Sequence, residues 1–346
     1  MNCKKKIVHK FIIMVIAIIT MTLNISMTTH ASKYKTIHDM ENRTVKVSKN
    51  VTRIADLWHA NNQVVLLLNG QNKLVATTGI IKNNFWFNKI YPKIKDIPAP
   101  FNGNDIQIES LLKVKPDVVL SSNKQQIKQA ENAHIPAINV MFQNFHGLKK
   151  SVNITAKIIG GKAPTIAKNY NEYLNKNIKT VQSKTKNINN RPTVLHIASS
   201  KNLTQVDGKQ TIINQWINIA GGKNVINKKG NMISITPEQI IKANPKFIIV
   251  GQSSSKQALN ALKKNPQLKN LPAVKKHHVY GNPQGTFPWD RYSAEEALQV
   301  LWAAKLFHPN LFKNINMIQK TQQFYKQFYD FNLTKQQAKD ILECKK

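Results

Sequence analysis

Glu109-Ser-Leu-Leu-Lys-Val-Lys-Pro-Asp-Val-Val-Leu120 and Glu238-Gln-Ile-Ile-Lys-Ala-Asn-Pro-Lys-Phe-Ile-Ile-Val250 follow one pattern, once in each half of the chain. Each opens on Glu, has an apolar pair two residues on, Lys at the fifth position and Pro at the eighth. An acid ahead of an apolar pair suits the first turn of a short helix, where it complements the helix dipole by about 0.3–1 kcal/mol. Proline cannot continue that helix. The apolar run after it reads as a strand buried on both faces, as in parallel sheets. A helix–strand unit that recurs in both halves implies two α/β lobes. It also places two matched acids, Glu109 and Glu238, where a two-fold partner could dock on them; dipole complementation alone explains each acid equally well.

Outward from these units the alternation continues. In the first half, Arg53-Ile54-Ala55, Leu74-Val75-Ala76 and Ile135 to Val140 read as strands, with helices over Gln63 to Leu68, Ile108 to Val114 and Gln125 to Ala133. Asn42-Arg43 marks a hairpin turn before an extended Lys46 to Val51. In the second half, Pro192 to Ile197 and His278-Val279-Tyr280 read as strands, and Ile212 to Ala220, Pro237 to Ala243 and Gln257 to Lys264 as helices. Helices alternating with short apolar strands predict a mainly parallel sheet in each lobe, flanked by helices. Between the halves, Ala163 to Thr185 is rich in helix formers, with Pro164 suited to a first turn. At 1.5 Å per residue such a helix spans roughly 35 Å, one small domain. A single helix of that length leaves little freedom for hinge closure and sets a rigid cleft between two Rossmann-like lobes. The predicted organisation is an export signal over 1–31, an N-terminal lobe over 32–160, the joining helix within 161–188 and a C-terminal lobe over 189–346.

The signal reading rests on Lys4, Lys5, Lys6 and Lys10, the apolar run Phe11 to Ile19, and small residues at Thr29-His30-Ala31. The run is about half of the roughly 20 residues a membrane span needs; cleavage near Ala31 is the reading, an uncleaved anchor its alternative. Cys3 falls within the signal and only Cys344 remains, so the fold rests on its core and no cysteine near Ala31 offers a lipid anchor. Removing four of the 51 basic residues and none of the 17 acidic ones leaves a net charge of +30. That balance draws anionic partners. The lysines are scattered without a basic helix or stripe, which argues against nucleic acid and leaves anionic wall polymers, lipid headgroups or an anionic ligand. No G-x-S-x-G, H-E-x-x-H or phosphate-binding glycine loop marks an enzyme.

The ordered pieces Arg43 to Val45 and Arg53-Ile54, Leu74-Val75, Glu109 to Leu120, Ile135-Pro136, Gly221-Gly222-Lys-Asn224, Thr236 to Val250 and Leu271 to Tyr280 resemble the iron-siderophore and cobalamin binding proteins of ABC importers. The resemblance implies a monomeric extracytoplasmic binding component that carries an iron(III) chelate, holds no permanent cofactor and works with a permease dimer and its ATPase. It implies that Glu109 and Glu238 engage permease arginines. Asn42 stands where the family has Gly, and the lipid-attachment cysteine of Gram-positive members is absent.

Ligands of α/β lobes sit beyond the carboxyl ends of the strands. Four segments qualify: Trp58-His59; Phe85-Trp86-Phe87, read as a polar-flanked loop; Ser199-Ser200 with Ser253; and Gly281 to Tyr292. In the last, Trp289, Arg291 and Tyr292 combine aromatic faces with a guanidinium that pairs with carboxylates and stacks on rings. The competing reading has Asp290 capping the next helix and Arg291 paired to Glu295. His59, His196 and Asp290 are also candidate ligands for a bare divalent metal, or His59 for the metal of a bound chelate. Haem, cobalamin and a nickel chelate stay open as cargo.

Overall fold

Each half of the chain builds its own sheet, and one helix joins them. The computed structural model describes residues 32–102 and 105–346; the expected signal, 1–31, lies outside them. A hairpin of β1 (Tyr34–His38) and β2 (Thr44–Ser48) comes first. Asn42 makes its turn at φ 61°, a left-handed conformation that Asn tolerates. The buried Asp39 carboxylate holds that turn by accepting from the Glu41 and Arg43 amides and pairing with the Arg43 guanidinium at 2.7 Å.

The first lobe contains β3 (Ile54–Asp56), β4 (Leu74–Ala76), the short antiparallel pair β5 (Phe101–Asn102) and β6 (Asp105–Ile106), then β7 (Val118–Ser121) and β8 (Ala137–Asn139). Its main sheet has the order β4-β3-β7-β8, all parallel, with Ala55 opposite Val119 and Leu120 opposite Ile138. The second lobe contains β9 (Thr193–Ser199), β10 (Asn202–Val206), β11 (Lys223–Asn224), β12 (Ile233–Ser234), β13 (Phe247–Val250) and β14 (Val279–Gly281). The order is β12-β10-β9-β13-β14, with β11 also on β9. β9, β11, β13 and β14 are parallel, whereas β10 turns back antiparallel on β9.

The matched units agree in backbone as well as sequence. Glu109 and Glu238 lie in the first turns of helices Ile108–Lys113 and Pro237–Ala243, the second closed by a Thr236–Gln239 capping box. Before each proline stands a left-handed residue, Lys115 at φ 41° and Asn244 at φ 40°. The next amides, of Asp117 and Lys246, then donate to the carbonyls of Arg53 and Thr193 and start β7 and β13 beside β3 and β9.

The joining helix runs Ala163–Thr185, with Pro164 in its first turn. Its buried residues, Ala163, Ala167, Tyr170, Leu174, Asn177, Val181 and Thr185, recur at helical spacing along one stripe. Helices Phe145–Ile159 and Glu296–Phe307 cover that stripe. The buried Tyr170 hydroxyl donates to the Ala294 carbonyl at 2.9 Å and Asn177 Nδ2 to the Ala297 carbonyl at 2.8 Å. Two further helices, Met317–Tyr329 and Lys335–Leu342, close the chain. The first packs on the lobe-one helix His59–Leu67, and the lobe-one Trp86 indole donates to the Lys345 carbonyl at 3.0 Å. The end of the chain therefore serves both lobes. One hydrophobic cluster accordingly passes from Ile37 through Tyr170 and Trp216 to Ile341.

Candidate functional site

The lobe-one wall starts from Asp56, at the carboxyl end of β3. Burial pushes its carboxyl well above the usual carboxylate range. It accepts from Asn61 Nδ2 at 2.9 Å and from the Trp58 amide at 3.3 Å. Asn62 Nδ2 donates to the carbonyls of Asp56 and Trp58, and Thr77 Oγ1 donates to Asn62 Oδ1 at 2.6 Å. These buried amides fix the turn that presents Trp58 and His59. Trp58 is the N-cap of helix His59–Leu67, so His59 opens a helix rather than lying in a loop. Both line a cavity of about 510 Å³ with Thr78, Ile80, Phe101 and Ser122. The His59 ring stacks on Phe287 of the other lobe at 5.4 Å, and burial lowers its pKa, which favours the neutral ring.

Across the cleft, Tyr292 meets Trp58 and Phe142 edge to face at 5.6 and 5.7 Å, and those two meet each other at 5.6 Å. Tyr292 has φ 54°, uncommon for a bulky residue and tolerated only where the surroundings hold it. Its hydroxyl accepts from Asn231 Nδ2 at 2.7 Å and donates to Gln143 Oε1 at 3.3 Å. The aromatic trio therefore draws on both lobes.

Behind Tyr292 lies a buried charge cluster. Arg291 Nη2 is 2.9 Å from Asp207 Oδ2 and 3.3 Å from Asp290 Oδ2. His196 sits between the same acids, Nδ1 at 2.8 Å from Asp207 and Nε2 at 3.0 Å from Asp290. Only Arg291 has any exposure, 7%. Burial opposes charge throughout the cluster, but mutual pairing prevails. His196 and Arg291 are raised, Asp290 is lowered, and Asp207 is held down at about 2, chiefly by the His196 hydrogen bond and the Arg291 charge. Trp216 closes the cluster, its Nε1 donating to the Asp290 carbonyl at 3.1 Å. Gly251 makes room: a Cβ there would stand 2.7 Å from the Ala198 carbonyl and 2.8 Å from Asp290 Oδ2.

This arrangement replaces the Arg291–Glu295 pair and the Asp290 cap that the spacing offered. The helix begins at Glu296, and Glu295 turns inward to accept from Thr286 Oγ1 at 2.9 Å, the Phe287 amide at 3.1 Å and the Tyr325 hydroxyl. Burial lifts its carboxyl to about 7 against those donors. Trp289, fully buried, belongs to the core rather than to the cavity beside Trp58.

The remaining candidates sit elsewhere. Phe85-Trp86-Phe87 lies in a helix, Phe85–Ile90, capped by Asn84 Oδ1, and not in a loop. Trp86 is buried and borders a second cavity, of about 460 Å³, at the β4–β14 flank. Ser199 enters the tight β9–β10 hairpin, where its Oγ accepts from the Lys201 amide at 3.2 Å. Ser253 Oγ donates to Ser200 Oγ at 2.6 Å. Glu109 and Glu238 are exposed, and Glu238 accepts from Gln267 Nε2 at 3.1 Å. The Glu238 carboxyl is lowered by its own amide and by the Thr236 hydroxyl. Among the described residues no group of three His, Cys, Asp or Glu side chains is placed to hold a metal ion. Sequence reasoning missed Phe142, Phe287 and Asp207. Phe142 was legible as an aromatic just past the β8 strand; Asp207 was not, because β10 went unread.

Two α/β lobes joined by one helix, with a cavity at the carboxyl ends of the strands, have the architecture of a solute-binding protein. The family described as periplasmic binding protein matches residues 54–285, about two thirds of the chain, and the chain belongs to it. It is 25% identical over 257 residues to an uncharacterized ABC transporter substrate-binding lipoprotein, YvrC, of Bacillus subtilis, covering 71% of this chain and 77% of that one. It is 23% identical over 323 residues to the molybdate-binding protein MolA of Haemophilus influenzae, covering 85% and 90%. The solved structure of MolA bound to molybdate has the same fold, with a TM-score of 0.77 at 19% identity over 87% of this chain and 99% of that one. The high-affinity heme uptake protein IsdE of Staphylococcus aureus is 27% identical over 199 residues, 54% of this chain and 67% of its own. The protein is the substrate-binding component of an ABC transporter.

Proposed function

We propose that this is an exported receptor that takes up an iron(III) chelate, a ferric siderophore, in the cleft beside Trp58 and His59. It then delivers the chelate to a permease dimer through Glu109 and Glu238. The observation that carries this reading is the 510 Å³ cavity itself, which sets an indole edge and an imidazole that burial keeps from protonating easily at the carboxyl ends of β3, β4 and β7. A neutral imidazole can complete the coordination of a chelated metal, whereas a protonated one repels it. Trp58 and Phe101 give the cavity two aromatic side chains for a partly planar ligand. Two of the relatives are named for molybdate and for heme. A small oxyanion needs a cationic donor with charge to spare, and Arg291 already spends its charge on two carboxylates. A bare divalent ion needs a convergent donor set, and His196 has each ring nitrogen beside a carboxylate. Both points favour the larger chelate.

The test is a tryptophan fluorescence titration of the purified protein with ferric siderophores, haem, cobalamin, molybdate and free Zn²⁺, Mn²⁺ and Ni²⁺. Sub-micromolar binding of a ferric chelate, weakened at least tenfold by His59→Ala with the fold retained, is the expected result. Tight binding of molybdate or a bare ion alone overturns it. For delivery, Glu109→Lys combined with Glu238→Lys abolishes uptake while leaving ligand affinity intact; an equal loss of affinity would show that the acids are not docking groups.

A further inference from the structure

The helices that follow β4 carry a feature that cargo binding does not use. Lys82, Lys89 and Lys95, from three successive turns of chain, and Lys346 from its end surround a cavity of about 500 Å³, with Phe85 and Asn88 between them. No Asp or Glu side chain lines it, and none of these four ammonium groups has an ion-pair partner among the described residues. Phe85 is 41% exposed, and the Lys89 ammonium lies 5.5 Å from its ring centre. Through Asn83, Phe85 and Lys346 this cavity joins the 460 Å³ one, whose lobe-two side presents Gln252, Ser254, Gln257 and Gln284. The whole is a groove with an ammonium-lined end and an amide- and hydroxyl-lined end. It is distinct from the cavity of Trp58 and His59, which shares no lining residue with either part.

Like charges gathered around one concavity repel one another unless an anion occupies it. The physical cost is modest in water, but it is removed by any ligand whose negative charges repeat at side-chain spacing. The side-chain amides of Gln252, Gln257 and Gln284 at the other end match the hydroxyls of a polyol or sugar, the Ser254 hydroxyl being held in the helix cap with Gln257. We infer that this groove binds a phosphodiester-linked polyol or sugar polymer, which holds the receptor at an anionic surface while its cleft remains free. Attraction of this kind works through counterion release, so affinity falls steeply as salt rises.

The experiment measures binding of the full protein to soluble polyglycerol phosphate between 50 and 300 mM salt, with inorganic phosphate and vesicles of anionic phospholipid as parallel probes (salt range chosen to straddle a Debye length of about 10 Å). The variants are Lys82→Ala/Lys89→Ala/Lys95→Ala and, as a control on an exposed part of lobe two, Lys263→Ala/Lys264→Ala/Lys269→Ala. The expected result is salt-sensitive polymer binding that the first triple weakens at least tenfold and the control less than threefold, with chelate binding unchanged in both. Equal losses in the two triples would assign the binding to overall charge and overturn the groove. Binding to vesicles or free phosphate as tight as to polymer would overturn the polymer.

Discussion

Arg291 looks in sequence like a ligand hook and stands in the structure as the cation that keeps two buried acids charged. Truncation therefore tests structure first. Arg291→Met leaves Asp207 and Asp290 with only His196 between them, and removing one partner of a buried ionic group costs about 3–5 kcal/mol. Urea unfolding at pH 7 measures the loss, and Arg291→Lys restores only part of it because an ammonium lacks the planar fork. The cluster also sets a pH window. Asp207, lowered to about 2, contributes stability that is present above the ordinary carboxylate range and disappears as pH falls through 2. His196, raised, contributes below its ordinary value near 6.5 and that share disappears as pH climbs through its folded value. Glu295 acts in the same direction as His196 for a different reason. Its carboxyl is raised to about 7 by burial, so ionisation is easier unfolded than folded. Stability then falls by up to about 3 kcal/mol between pH 4.5 and 7. Unfolding measured at pH 5 and pH 8 should show that fall in the wild type and a smaller one in Glu295→Gln; an undiminished fall would assign it to the other raised groups, Asp56, Glu296 and His196.

At the scale of elements, the joining helix is held by polar anchors as well as its apolar stripe. Tyr170→Phe removes one of two donors to the Ala294 carbonyl, the Ala297 amide at 3.2 Å being the other, and should cost about 0.5–1.5 kcal/mol, the net worth of one hydrogen bond. A Tyr170→Phe variant of wild-type stability would show that water replaces the hydroxyl. This helix was legible in the sequence: Ala163 to Thr185 is rich in helix formers, with a proline in the first turn and no glycine or later proline to break it. The matched units were legible for the same reason, since buried parallel strands leave uninterrupted apolar runs. What failed was whatever depends on distant partners. Asn202 to Val206 alternates too weakly to announce β10, because much of it is only half-buried. Phe85-Trp86-Phe87 looked like a loop because its helix is set by the Asn84 cap and by the chain end that covers Trp86. At the site, Trp58, His59 and Tyr292 were found from their places after strands. The identity of the Arg291 partners was not, since Asp207 stands 84 residues away in sequence.

For the whole molecule, the decisive fact is that no clean boundary separates the lobes. The hydrophobic cluster runs through both, the helix Met317–Tyr329 packs on lobe one, and the Lys345 carbonyl receives the Trp86 indole. Gln63 of lobe one accepts from the Ala294 amide at 3.2 Å, and Asn84 Nδ2 donates to the Gly285 carbonyl at 3.2 Å. Hinge closure requires a few residues that absorb large dihedral changes with little packing to break. Here closing or opening would have to break these interlobe bonds and shear the hydrophobic cluster that both lobes share. Ligand capture must then proceed by rearrangement of cleft side chains, with Tyr292 the natural mover, since its left-handed backbone and two amide partners are already an imposed conformation. X-ray scattering with and without a bound ferric chelate should therefore show a change in radius of gyration below about 1 Å, the scale of preorganised partners. Tryptophan emission should nevertheless respond, because Trp58 touches Tyr292. Removing Lys335–Lys346 deletes the last helix and the Trp86 acceptor together, and in that truncated chain the scattering change should grow. A large contraction in the intact protein would instead place a hinge within the joining helix and sink the rigid-cleft argument.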